Sequence, residues 1–242
     1  MPPLIGVDTL HRVTQTLIDA ATQMLGAPPP FWGRYFKRPG DGVYAKSAES
    51  PALHANGIKL LPIARQTRNV GGSRQLGGED AAKNAAAFIN AMGIEHLAAE
   101  GAEFLIFLDV EGDGPKNPSL AAEYYIGWST ELVAQSRKLS SGRFTLLPAV
   151  YARTLDSKTW KAIALATAAG AEPPRGAWVA FGIGRDEPNP SAFDAKKTTP
   201  PGGVPFPVML WQFRLGEIFD LDMVNPDVAI GQALLERLVL PA

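Results

Sequence analysis

The sequence predicts an α/β protein folded as a single (β/α)8 TIM-type barrel over residues 1–242. Three observations predict it. Short apolar runs alternate with longer amphipathic or Ala-rich segments, the pattern of a parallel sheet with crossover helices. Eight such runs can be counted with no spare edge, which favours closure over an open sheet. The 242 residues match the roughly 250 that one such barrel needs.

Residues 4–8 are the first strand, and 13–25 follow with apolar residues at helical spacing. Pro28, Pro29 and Pro30 end that unit. The aromatic run 31–36 is the second strand. A short helix at 47–56 stops at Gly57, a residue suited to a helix C-terminus. The third strand is 58–64, and its loop carries Gly71, Gly72, Gly77 and Gly78 before a helix at 79–92. Residues 104–110 are almost continuously apolar, as in a central parallel strand buried on both faces. The longest helix is 120–138, followed by a strand at 144–151, a helix at 157–169 and a strand at 177–181. Residues 182–205, rich in Gly, Pro, Asn and Asp, are expected as one long loop. Strands at 208–213 and 218–221 and a helix at 227–238 complete the chain.

Composition narrows the function. With 23 basic and 24 acidic residues there is no basic stripe, so a nucleic-acid partner is not expected. The chain has no cysteine, which removes disulfides, thiolate metal sites and cysteine nucleophiles. No secretory signal and no apolar span of membrane length is visible. The three histidines, His11, His54 and His96, lack metal-ligand spacing, and neither a metal nor a cofactor is expected. The glycines at 71–78 lack the Gly-Lys-Ser/Thr ending of a phosphate loop, and no Gly-x-Ser-x-Gly elbow occurs. A monomer acting on a neutral polymer or small molecule suits this balance.

Active sites of such barrels lie at the C-terminal ends of the strands. Those ends carry Asp8, Arg34 and Tyr35, Asp109 and Glu111, Tyr151, Trp178 and Phe181, Trp211 with Gln212, and Asp220. Asp109 and Glu111 are two apart, so both point to one face of a strand. Paired carboxyls repel when ionised, which leaves one as an acid beside one charge, the set that glycoside hydrolysis uses. Asp8 and Asp220 are equally suited to capping helices. Arg34 is suited to a structural ion pair or to substrate, and the aromatics to the core or to stacking on sugars.

Several segments together resemble the family 25 glycoside hydrolases, the muramidase-type lysozymes, and more closely the glycoside-hydrolase-like barrel domains of unknown function. They are Gly6-Val7-Asp8, Phe31-Trp32-Gly33-Arg34-Tyr35, Leu108-Asp109-Val110-Glu111, Val150-Tyr151, Trp178-Val179-Ala180-Phe181, Leu210-Trp211-Gln212-Phe213 and Phe219-Asp220-Leu221-Asp222. The resemblance implies hydrolysis of β-1,4 bonds in peptidoglycan, with the cell-wall glycan as partner. Glu111 would be the general acid and Asp109 a stabiliser. Asp8 and Asp220 would complete the carboxylate set, and Arg34, Tyr151, Trp178, Trp211 and Gln212 would bind substrate. Two departures stand out: Thr9-Leu10-His11 replaces the Ser and Gln that usually follow the first Asp, and Phe181 replaces a tyrosine. A non-catalytic barrel that binds glycan is the alternative. Export or lysis would bring the chain to a cell wall.

Overall fold

The computed structural model describes residues 3–36, 43–65, 67–112, 114–184 and 187–242. The elements in order are β1 (Ile5–Asp8), α1 (Gln15–Leu25), β2 (Phe31–Tyr35), α2 (Lys46–Ala55), β3 (Lys59–Arg65), α3 (Arg74–Met92), α4 (Ile94–Glu100) and β4 (Glu103–Val110). They continue as α5 (Ala122–Ser140), β5 (Thr145–Arg153), α6 (Ser157–Ala168), β6 (Ala177–Ala180), α7 (Ala195–Thr198), β7 (Val208–Arg214), β8 (Asp220–Val224) and α8 (Val228–Leu235). The eight strands close in sequence order, each hydrogen-bonded to the next and β8 to β1. This is the expected (β/α)8 barrel, with one change of direction. β1 to β7 are parallel, but β8 runs antiparallel to both β7 and β1. Only residues 215–219 join β7 to β8, and a parallel return needs a dozen residues or more.

Side chains alternate between two apolar layers, as the pleat requires. Phe31, Leu61, Ile63, Leu105, Phe107 and Leu147 fill the barrel interior. Val7, Trp32, Leu60, Ile106, Leu108 and Val150 face outward beneath the helices. The chain's end seals the bottom. Leu234 and Leu238 join the interior cluster, and the amides of Leu60 and Leu105 donate to the carbonyls of Val239 and Arg237. His54 and His96 are spent here, on the carbonyls of Pro241 and Leu240. No helix among the described residues is long and apolar enough to cross a membrane.

The start of α3 differs from expectation. Gly77 and Gly78, expected in a loop, lie inside the helix, which begins after the Ser73 cap. The cause is the packing of α3 on α5. A Cβ on Gly77 would lie 2.1 Å from the Tyr124 carbonyl oxygen, and one on Gly127 would lie 1.9 Å from that of Arg74. The two backbones touch, so contact between helices outweighs the usual cost of helical glycine, roughly 1 kcal/mol. Gly127→Ala must therefore spread the pair. We expect a loss of about 1–3 kcal/mol in urea unfolding, against a near-neutral Gly78→Ala control in the same helix, where an added Cβ would meet nothing closer than 3.8 Å.

Candidate active site

The mouth lies where β1–β7 end and β8 begins. Asp8, the last residue of β1, faces Asp220, the first of β8, in the antiparallel register. Gly33 on β2 makes room for Asp8: a Cβ there would sit 2.5 Å from the Asp8 Cβ. Leu105, Phe107 and Asp109 follow one another up the inner face of β4, and Glu111 comes just after its end. Gly112 then turns the chain with a φ of 60°. Asp109, Tyr151 and Trp178 stand side by side in the register of β4, β5 and β6.

Asp8, Asp109, Glu111 and Asp220 line one narrow cavity of about 90 Å³, together with Tyr35, Tyr151, Trp178 and Gln212. Two wider lobes adjoin it. One, about 520 Å³, extends over β5 and β6 and includes Arg153, Leu155, Phe181 and Leu215. The other, about 220 Å³, lies toward β1 and β8 and includes His11, Arg65, Glu217 and Ile218. Glu111 borders all three spaces. The described part of the 182–205 segment leaves the centre open. Gly182 borders the larger lobe, while Phe193 and Lys197 pack on Trp211 outside the barrel. Residues 185 and 186 of that segment lie outside the described residues.

Hydrogen bonds fix the polar groups. The Tyr151 hydroxyl donates to Gln212 Oε1 at 2.7 Å. Gln212 Nε2 donates to Asp8 Oδ2 at 2.9 Å and to Asp220 Oδ2 at 3.4 Å. The Gly216 amide supports the other Asp220 oxygen at 2.8 Å, and Thr67 donates to Asp109 at 3.1 Å. One glutamine thus orients two carboxylates from opposite strands and is itself held by a tyrosine.

Electrostatics follow from burial. Asp8 is pushed from the ordinary 3.8 up to about 8, first by burial and then by the charge of Asp220. Hydrogen bonds from Gln212 and Asp222 oppose that rise, and Asp109 adds to it. Burial raises the Tyr35 and Tyr151 phenols well above their usual range, and the neighbouring carboxylates raise them further. Both stay protonated, and Tyr151 acts as a donor to Gln212. A carboxyl raised in the folded state binds its proton more tightly there than in the unfolded chain. Its stabilisation is therefore complete below pH 4 and is lost as pH rises toward 8. Denaturant titrations between pH 5 and pH 8 should show stability falling by up to about 1.4 kcal/mol per pH unit for this group.

Two sequence-predicted site residues point elsewhere, which corrects their expected place at the mouth. Arg34 lies on the outer face of β2, between the inward Gly33 and Tyr35. It is 1% exposed and pairs with the fully buried Glu49 of α2, Nε to Oε2 at 2.6 Å and Nη2 to Oε1 at 3.1 Å. Trp211 is also on the outer face, its indole N–H donating to the Phe181 carbonyl at 3.0 Å. Trp178 does face inward, but its N–H is engaged by Asp222 at 3.0 Å and its ring meets Tyr151 edge-on. Tyr35, expected at the end of the second strand, lines the centre. Two residues were missed: Arg65 stacks over the Tyr35 ring at 5.1 Å, and Asp222 is buried beneath Asp8 and Asp220. Strand alternation finds Tyr35 from Gly33, and Asp222 from Asp220.

No protein-family profile and no curated protein sequence matches this chain. Solved structures do. An uncharacterised protein of B. stearothermophilus superposes with a TM-score of 0.69 at 22% identity, over 97% of this chain and 99% of that one. A muramidase from Acremonium alcalophilum gives 0.56 at 17% identity, over 96% and 99%. The bacterial lysozyme from Streptomyces coelicolor gives 0.53 at 17% identity, over 97% of both chains. At these identities the shared property is the fold, a barrel found in lysozymes, muramidases and uncharacterised proteins alike.

Proposed function

We propose that the chain is a glycosidase that cleaves β-1,4 bonds of peptidoglycan, with Glu111 as its general acid. The observation that carries this reading is the position of Glu111 at the junction of two open lobes, beside the narrow centre lined by Asp8, Asp109 and Asp220. A polymer laid across the mouth places one sugar on each side and its linking oxygen beside Glu111. The glycans degraded by the muramidase and lysozyme of like fold supply the substrate class.

Glu111 gives its proton to the linking oxygen as the bond from that oxygen to the anomeric carbon breaks. Asp109, or the acetamido oxygen of an N-acetylated sugar, stabilises the oxocarbenium-like centre. Water then adds its hydroxyl to that carbon and returns a proton to Glu111, which restores the acid. Gln212, Tyr151 and Trp178 hold the carboxylates and shape the floor. Arg153, which has no carboxylate partner among the described residues, favours an anionic polymer in the larger lobe.

Digestion of purified peptidoglycan, read as released reducing ends, tests the proposal. Release by the wild-type chain supports it. Binding to sacculi without release would replace it with the glycan-binding reading, which the missing hydroxyl at Phe181, a residue bordering the larger lobe, favours.

A further inference from the structure

We propose that Asp222 is a positioning residue that carries an acidic hydrogen and donates it to Asp8, so that the two buried carboxyls act as one proton-sharing pair. Asp222 is completely buried, and its Oδ1 accepts the Trp178 indole N–H at 3.0 Å. Its Oδ2 is buried and receives no hydrogen bond. Across the strand pair lies Gly6, and the Phe31 ring fills the space where a side chain of residue 6 would stand. An ionised Asp222 would therefore leave a bare charge against an apolar floor. A hydrogen on Oδ2 removes that charge and supplies a donor to Asp8, the carboxyl it contacts.

The carboxylates around the pair act in the same direction. Asp220 of β8 faces both members, and Asp109 of β4 faces Asp8. Arg65 of β3 lies over the Tyr35 ring of β2, and its charge acts on that phenol. Gln212 of β7 holds the outer oxygen of Asp8 at 2.9 Å, so a donor from Asp222 fixes Asp8 from below. Burial and the charge of Asp8 both raise the Asp222 carboxyl well above its usual range. Asp222 thus reaches the cavity through Asp8 and Trp178, which line it.

Carbon-13 NMR of the aspartate-labelled full chain at pH 7 tests the pair. The wild type should show at least one protonated aspartate carboxyl, and Asp222→Asn, which keeps a donor without a titrating proton, should show one fewer. Wild-type Tm should also fall more steeply than the variant's between pH 5 and pH 8, since the variant lacks the buried carboxyl that holds the proton. No protonated aspartate in the wild type, or equal numbers in both proteins, would overturn the proposal. The NMR measurement on the wild type stands even if the variant fails to fold. Only the effect on turnover rests on the glycosidase reading. There the alkaline limb of kcat/KM should move in Asp222→Asn, and coincident limbs would overturn the positioning role. A chain that releases no reducing ends but keeps the protonated carboxyl loses the glycosidase reading and retains the pair.

Discussion

Glu111→Gln should lower reducing-end release from peptidoglycan by about 10²–10⁴-fold while leaving the barrel intact. The amide keeps the shape and polarity of the side chain but has no proton to give the departing oxygen. That oxygen must then leave as an alkoxide, and nothing else in the proposed mechanism supplies a proton at that atom. Glu111 follows the end of β4 and borders both lobes and the narrow centre rather than the packed core, so the fold should not register the change. We expect unfolding free energy within about 0.5 kcal/mol of the wild type, as for most substitutions away from the core. Release at the wild-type rate would remove Glu111 as the acid. Loss of release together with loss of the native circular dichroism spectrum would point to folding instead.

The second large effect belongs to the Arg34–Glu49 pair. Glu49→Ala should cost about 3–5 kcal/mol, the range for stripping one partner from a buried ion pair. Glu49 accepts from the guanidinium and from two backbone amides, Val13 at 3.0 Å and Ala45 at 2.7 Å. Arg34 also donates to the Thr9 carbonyl at 2.6 Å. The pair thus ties β2 and α2 to the loop that leaves β1 directly after Asp8. Removing Glu49 leaves a guanidinium buried without its carboxylate and two amides without their acceptor. Equilibrium unfolding in urea measures the loss. A double change, Arg34→Met with Glu49→Leu, should recover much of it, because neither charge is then left alone. A cost under about 1 kcal/mol for Glu49→Ala would mean that the pair is dispensable.

The barrel was legible in the sequence because its strands are apolar runs and its helices are periodic. The direction of β8 was not. Asp220, Asp222 and Val224 face inward while Leu221 and Met223 face outward, and an alternating pattern is the same read from either end. Only the short connection from β7 carried that information. The carboxylates at the mouth could be located from strand ends. Arg34 and Trp211 were misplaced because a strand end was taken without its face: each sits one residue from the inward position, at Tyr35 and Gln212. Gly77 and Gly127 show the opposite case. Their backbone contact is a property of two helices far apart in sequence, and no local pattern records it.

The reversed eighth strand also changes how this mouth can diversify. Where a parallel strand follows, a loop at the rim must lead into a helix that packs against the barrel wall, so its length is tied to the shell. Residues 215–219 have no such duty, because they form a hairpin bend that stays at the rim. Leu215 borders the larger lobe, and Gly216, Glu217, Ile218 and Phe219 border the smaller one. Lengthening, shortening or recolouring this bend would redraw both sides of the cleft while the helices behind it stand unmoved. It is the natural place for a library of variants, and for relatives of one architecture to part company over what they grip.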